Sequence, residues 1–369
     1  MAATATGVLT ILADDLTGAC DTGTLFAAGR PVPVTVWPDT GSPSPVRVVD
    51  TESRSVDFGE AARRVEAAAG AAPATRYFKK IDSTLRGPIG AEVDALLRAT
   101  GAPSVVLTPA FPALGRTVVD RVLLIDGIPA TDTALVEDPE YPSERGSSVV
   151  DRLRPDIDRP LAWIPLGHVR ADRDDLSARL GRLRGTVTIA DAETDEDLSA
   201  LVDAALALDP TPLLVGSAGL ARALALRLGL LAKRATLPPT RRWLIVAGSR
   251  HPATRRQVAT ARDAGLRVLT TSDTDIGDRV AVAAHLASEA RRIIEREAFD
   301  LVAVTGGQTA LALWQAFDAD RVDLLGAPAP GLAFGFLRAP GHPALGLLTK
   351  AGGFGAPDLF VSLWEESNG

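Results

Sequence analysis

Residues 8–20 read "VLTILADDLTGAC". Val8-Leu9-Thr10-Ile11-Leu12 is a short apolar run of the kind that fills a buried strand. It ends in two adjacent carboxylates, Asp14 and Asp15, and Thr17-Gly18-Ala19 is then small enough to turn into a helix. Adjacent like charges repel, and each is costly to bury without a partner. A strand, a charged turn and a helix in succession is the unit of an α/β sheet, and its turn is where such sheets collect ligands.

The same unit recurs outward from this stretch. Strands are predicted over 7–13, 32–37, 46–50, 76–81, 104–108, 161–164, 186–190 and 212–216, then over 243–247, 266–270, 300–305, 332–338 and 344–350. Helix-like segments such as "DFGEAARRVEAAAGA", "PIGAEVDALLRATGA" and "RVAVAAHLASEARRIIEREA" lie between many of them. This alternation predicts an α/β fold of two domains with mainly parallel sheets. The stretch 115–160 is irregular and rich in Pro, Asp and Gly, which predicts long loops or a β-excursion. "LAKRATLPPTRR", with two prolines and no apolar period, reads as a linker over 231–242 between a domain at 1–230 and another at 243–369.

Composition narrows the function. Of 369 residues, 46% are hydrophobic and 23% charged, as in an ordinary folded protein of about two domains. A net charge of −7 argues against a general nucleic-acid binder. Cys20 is the sole cysteine, so a disulfide framework or a cysteine zinc site is excluded. The four histidines, His168, His251, His285 and His342, show no metal-ligand spacing. The opening "MAATATGVLTILADD" lacks a basic region and a long apolar run, so no secretory leader is expected and a cytoplasmic location is. "LLVGSAGLARALALRLGLLA" carries Arg222 and Arg227 and reads as strand, turn and helix rather than a membrane span. The expected partners are small molecules, not nucleic acid or membrane, and a homo-oligomer is compatible with the sequence.

The two halves differ in what their turns carry. In the first, "DTESRSV" sets Glu52 and Arg54 just past a strand, and "YFKKIDSTLRGPIGAE" sets Lys79, Lys80, Asp82, Ser83 and Arg86 past another. Cations beside hydroxyls and carboxylates suit a small polyhydroxylated anion: Arg for a carboxylate, Asp for hydroxyls. In the second, "WLIVAGSRHPATRRQV" places Gly248-Ser249, and "LVAVTGGQTALAL" places Gly306, Gly307, Gln308 and Thr309, where a helix follows a strand. "LLTKAGGFGAPDLF" adds Lys350, Gly352, Gly353 and Gly355. One such turn is ordinarily a tight turn; three suggest a phosphate or nucleotide cradle. No Walker A loop, dinucleotide fingerprint or protein-kinase motif is present.

Together, "ADDLTGACDTG", "DTESR", "KKIDSTLRGPIGAE", "PAFPALGRTV", "DGIPATDTALVEDPEYPSERGSSV", "GSAGLARAL", "AGSRHPATRRQ", "TGGQTALAL" and "KAGGFGAPDLF" resemble the four-carbon acid sugar kinases in order along nearly the whole chain. The resemblance implies an N-terminal domain for the acid sugar, a C-terminal domain for ATP, and chemistry in the cleft between them. It implies that Asp15, Arg54, Lys80, Ile81, Asp82 and Ser83 touch the acid sugar, and that Ser249, Gly306, Gly307, Gln308, Thr309 and Gly352 touch ATP. Gln308 stands where the family commonly has Glu, Gly353 where many members have Asn, and trimmed segments are expected near 318–332.

The expected reaction is phosphoryl transfer from ATP to a hydroxyl of a threonate, erythronate or 3-oxo-tetronate type acid. Arg54, helped by Lys80, fixes the carboxylate; Asp15 or Asp82 takes the hydroxyl proton; Mg²⁺ bridges the phosphates through water or Asp14. Closure of the two domains is expected to accompany the cycle. There are two rival readings: a non-catalytic sensor of acid sugar and nucleotide using the same cleft, and a nucleotide-dependent dehydrogenase or isomerase built on two α/β domains.

Overall fold

The computed structural model describes residues 7–41, 43–138, 140–141, 143–249, 251–271, 278–351 and 353–368. They form an α/β fold of two compact units. One comprises residues 1–22 and 36–231; the other comprises 23–35 and 232–369, so the segment 23–35 belongs with the C-terminal residues. No regular secondary structure runs from Leu230 to Arg242. No helix among the described residues is long and apolar enough to cross a membrane.

The first unit is built on seven parallel strands, in the order Val46–Asp50, Gly7–Ala13, Ala74–Lys80, Leu213–Gly216, Val105–Thr108, Val187–Ala190 and Leu161–Ile164. Strands buried on both faces need apolar side chains throughout, and Val105–Thr108, Val187–Ala190 and Leu213–Gly216 are buried at every position. The chain leaves Gly7–Ala13 for Val46–Asp50 on one side, then returns to Ala74–Lys80 on the other. That reversal opens a crevice at the carboxyl ends of the flanking strands. Register keeps those ends level: Ala13 pairs with Asp50 and with Lys80.

In the second unit, Arg267–Thr270, Trp243–Ala247, Leu301–Thr305 and Leu345–Lys350 are parallel neighbours; Leu332–Arg338, Arg321–Gly326 and Val32–Val36 continue antiparallel. Its core gathers Trp243, Ile245, Leu301, Phe334, Leu348 and Phe360. Here too the order reverses, with Trp243–Ala247 lying between Arg267–Thr270 and Leu301–Thr305. Ala247 pairs with Thr305, and Thr305 with Lys350, so three turns start at one level.

Every predicted strand is present, with ends shifted by at most two residues. Two features were not expected in detail. The stretch 115–160 contains a three-stranded antiparallel ribbon, Arg116–Val119, Val122–Ile125 and Ile128–Pro129. The stretch expected to be trimmed, 318–332, holds the strand Arg321–Gly326, whose buried Val322 and Leu324 alternate with less buried neighbours.

Candidate functional site

At the crevice of the first unit, three strand ends deliver charge to one place. Asp14 and Asp15 follow Ala13, Arg54 lies four residues past Asp50, and Lys80 ends its own strand. Arg54 Nε donates to Asp14 Oδ2 at 2.7 Å and its Nη2 to Asp15 Oδ1 at 2.6 Å, while Asp82 Oδ1 lies 3.9 Å from Nη2. The backbone sets this up, because the Ser53 and Arg54 N–H groups both donate to the Asp14 carbonyl, at 3.1 and 3.2 Å. Gly18 lets the cluster close: a Cβ there would come 2.5 Å from Asp15 Oδ1 and 2.7 Å from Lys80 Nζ.

Burial alone would raise the Asp14 carboxyl, but Arg54, then Lys80 and Lys79, hold it below the usual carboxylate range. Burial likewise works against the Arg54 charge, yet Asp14, Asp15 and Asp82 raise it well above the arginine norm. Asp82 is held most firmly. Its carboxylate accepts from the Thr84 N–H and hydroxyl, from the Arg86 N–H, and from Arg86 Nε and Nη2. Against the upward push of burial, Arg86 and Arg54 bring it well below the usual range. Arg86 also reaches Asp138 at 3.1 Å, tying in the irregular stretch before the helix Val149–Leu153. One turn into the helix Leu16–Thr24, Asp21 is raised to about 6 by burial, an effect that Lys80 opposes.

In the second unit, Ala247 leads into Gly248-Ser249, and Thr305 into Gly306 and the helix Gly307–Ala316. Gly306 has φ 102, a left-handed conformation that favours glycine, and a Cβ on it would lie 3.3 Å from the Ser249 N–H nitrogen. Backbone amides of one turn thus approach those of the other beside a helix N-terminus, an arrangement suited to an anion such as phosphate. The third turn is pinned from beneath. Lys350 is 1% exposed and Nζ donates to the carbonyls of Ala351 at 2.8 Å and Phe354 at 3.1 Å. Burial lowers its pKa to about 8. From the helix Pro252–Asp263, Gln257 Nε2 donates to the carbonyls of Phe354, Gly355 and Ala356.

Comparison with known proteins fits these two crevices. Residues 9–224 match the model of a sugar-binding N-terminal domain, and residues 267–360 that of a nucleotide-binding C-terminal domain. A D-threonate kinase of Salmonella typhimurium is 32% identical, over 94% of this chain and 95% of its own. The chain belongs to the four-carbon acid sugar kinase family. A 3-oxo-tetronate kinase of Cupriavidus necator is 29% identical over 96% of this chain and 95% of its own. Among solved structures, a Salmonella typhimurium protein described as a candidate tRNA synthase superposes with a TM-score of 0.79, at 21% identity, over 96% of this chain and 98% of its own. At that identity the likeness shows the shared fold and nothing of activity.

As a member of the four-carbon acid sugar kinase family, the chain can be read residue by residue. Asp15, Arg54, Lys80, Asp82 and Arg86 are brought together in one unit; Ser249, Gly306, Gly307, Gln308 and Thr309 in the other. Gly352 lies outside the described residues. Ser83 is partly exposed beside Asp82. Ile81 is fully buried and its N–H donates to the Gly216 carbonyl, so neither its side chain nor its N–H is presented to a ligand. Asp14 does not suit a metal ion: it is 1% exposed, gripped by Arg54 and flanked electrostatically by Lys79 and Lys80. No group of three or more His, Cys, Asp or Glu side chains among the described residues is placed to hold a metal ion. The motif reading assigned no role to Glu92, Ser53, Asp138 or Gln257, and it grouped Lys79 with the ligand-facing cations, whereas Lys79 is fully buried against Glu92. Glu92 had a signal: it falls on the helical period of Ile89, Val93, Leu96 and Leu97, the apolar face of its helix.

Proposed function

We propose that this chain is an ATP-dependent kinase that phosphorylates a hydroxyl of a four-carbon acid sugar of the threonate, erythronate or 3-oxo-tetronate type. Family membership supports the reaction class, and the Arg54–Asp14–Asp15–Asp82 cluster at the sheet reversal is the observation that carries the site. A planar guanidinium held by two carboxylates is preorganised to meet a third, that of the substrate, with Lys80 adding charge from the neighbouring strand.

The same geometry favours Asp15 as the proton acceptor. Asp82 is saturated by donors from Thr84 and Arg86 and is held well below the usual carboxylate range, which makes it a poor base. Asp15 accepts from the Thr17 hydroxyl at 2.6 Å and the Gly18 N–H at 3.0 Å, which aim its carboxylate. In this reading Asp82 fixes Arg86 and shapes the pocket. ATP binds through the Gly248-Ser249 and Gly306–Thr309 turns. Mg²⁺ carried on the ATP phosphates would neutralise their charge; no group of carboxylates or histidines among the described residues is placed to hold it without ATP.

The experiment is phosphorus NMR of the protein incubated with MgATP and each candidate acid. A new phosphate-monoester resonance appearing with ADP supports the reading. Thermal stabilisation by the acid with no such resonance would make the protein a sensor instead.

A further inference from the structure

Two adjacent lysines end the strand Ala74–Lys80, and alternation sends their side chains to opposite faces of the sheet. Lys80 goes to the side of Gly18, where the Asp15 carboxylate also lies. Lys79 goes inward, is fully buried, and places Nζ 3.1 Å from Glu92 Oε2, also fully buried, on the helix Ile89–Thr100. Nζ donates as well to the Lys80 carbonyl at 3.0 Å. A buried ion pair is weak evidence for stability, because desolvating both charges offsets most of their attraction and apolar residues of similar volume do as well or better. What distinguishes this pair is the other carboxylate oxygen. Glu92 Oε1 accepts the Ser53 hydroxyl, the side chain immediately before Arg54.

We propose that Glu92, oriented by Lys79 and acting through Ser53, is a positioning residue that sets where Arg54 presents its guanidinium to the acid sugar. The segment 51–54 is held at two points. Its backbone is tied to the end of the first strand: Thr51 N–H and hydroxyl both donate to the Ala13 carbonyl, and Ser53 and Arg54 N–H to that of Asp14. Its side chains are tied by the Ser53 hydroxyl to Glu92, with the Thr51 hydroxyl 2.6 Å from Ser53 Oγ and committed to the Ala13 carbonyl. Backbone bonds alone fix the height of Arg54 above the sheet; the Ser53–Glu92 link fixes the rotation of the segment about them. The Arg54 fork needs both, because Nε and Nη2 must meet Asp14 and Asp15 at once. Glu92 lies 38 residues beyond Arg54 in sequence; it reaches the segment through Ser53, and through Lys79 Nζ it also adjoins the Lys80 carbonyl.

The inference rests on the reading of Arg54 as the carboxylate-binding group, and its test separates the two. Ser53→Ala cuts the link while leaving the Lys79–Glu92 pair in place; Ser53→Thr retains a hydroxyl; the paired change Lys79→Met with Glu92→Leu removes the ion pair for apolar bulk. Ser53→Ala and the paired variant should each raise KM for the acid about tenfold or more, the scale expected of a misplaced binding group, with KM for ATP unchanged. Ser53→Thr should restore the wild-type value. The Arg54 Nε–H resonance, which needs no turnover, should move in Ser53→Ala and return in Ser53→Thr. An unmoved resonance with unchanged KM overturns the proposal, as does a loss shared equally by both substrates and matched by a fall in Tm. Failure of the wild type to phosphorylate any four-carbon acid would instead sink the functional reading, leaving the resonance to decide on Glu92.

Discussion

Arg54 Nη2 lies 2.6 Å from Asp15 Oδ1, so the group assigned to the substrate's charge is bonded to the group assigned to its proton. Under the proposed function this contact would tie binding to catalysis, because a substrate carboxylate engaging Arg54 would bring its hydroxyls toward Asp15. It also neutralises part of the guanidinium before substrate arrives, which keeps a partly buried cation tolerable.

Arg54→Lys should keep the charge and lose the fork. A lysine cannot meet Asp14 and Asp15 together with a substrate carboxylate, so KM for the acid should rise about tenfold to a hundredfold, the worth of one to two charge-assisted hydrogen bonds. Steady-state kinetics at saturating ATP reads this. An unchanged KM would remove Arg54 from the pocket.

Asp15→Asn should lower kcat by about a hundredfold to ten-thousandfold, the usual contribution of a general base, with the fold intact by circular dichroism. Asp82→Asn should act chiefly on stability. It weakens the hold on Arg86 and Thr84, and it removes a carboxyl whose folded pKa is depressed. A depressed carboxyl adds stability above its unfolded pKa that is lost as pH falls through the folded value. Asp82→Asn should therefore lower Tm at neutral pH and narrow the gap from wild type as the pH is taken into the strongly acid range. Wild-type turnover in Asp15→Asn with none in Asp82→Asn would reverse the two roles.

Asp21 titrates in the opposite sense. Its pKa is raised to about 6 from 3.8, so the folded state binds more protons than the unfolded across that interval. The stability it contributes is fully present below 3.8 and is lost as pH rises through about 6. Asp21→Asn removes the penalty. Its Tm should exceed that of wild type at neutral pH, with the advantage disappearing on acidification below the unfolded value. Equal differences at both pH values would show that Asp21 is not so perturbed.

Gly306→Ala places a Cβ at φ 102 against the Ser249 backbone. Backbone strain of about 1–3 kcal/mol follows, and the two turns must separate. The expected result is a raised KM for ATP with KM for the acid preserved, a pattern opposite to that of Arg54→Lys.

How much of this was legible in the sequence follows from how local each signal is. The strands and the turns after them were, because apolar runs and the residues that end them are contiguous; Asp14, Asp15, Arg54 and Asp82 were all found this way. The ribbon was visible only as an irregular stretch. Its first turn uses Asp120 and Arg121, at φ 49 and 70, rather than the Asn-Gly or Asp-Gly pair that signals a hairpin. It is held from a distance by Asp191, which accepts from both their N–H groups. Arg321–Gly326 was missed because a short strand with two charged residues lacks the continuous apolar run of a central one. Lys79 was seen only as one of two lysines at a strand end. Which one faces inward depends on strand phase, and its partner Glu92 comes from the next helix. The bond between Arg54 and Asp15 is a fact of three dimensions that spacing does not encode.

The most direct test of the central claim is ADP release from MgATP, measured with D-threonate, L-threonate, D-erythronate and their 3-oxo forms, with a neutral four-carbon polyol as control. At least one acid should drive release that Asp15→Asn abolishes, while the polyol, having no carboxylate for Arg54, should not. Release no faster with any acid than with buffer alone would contradict the assignment.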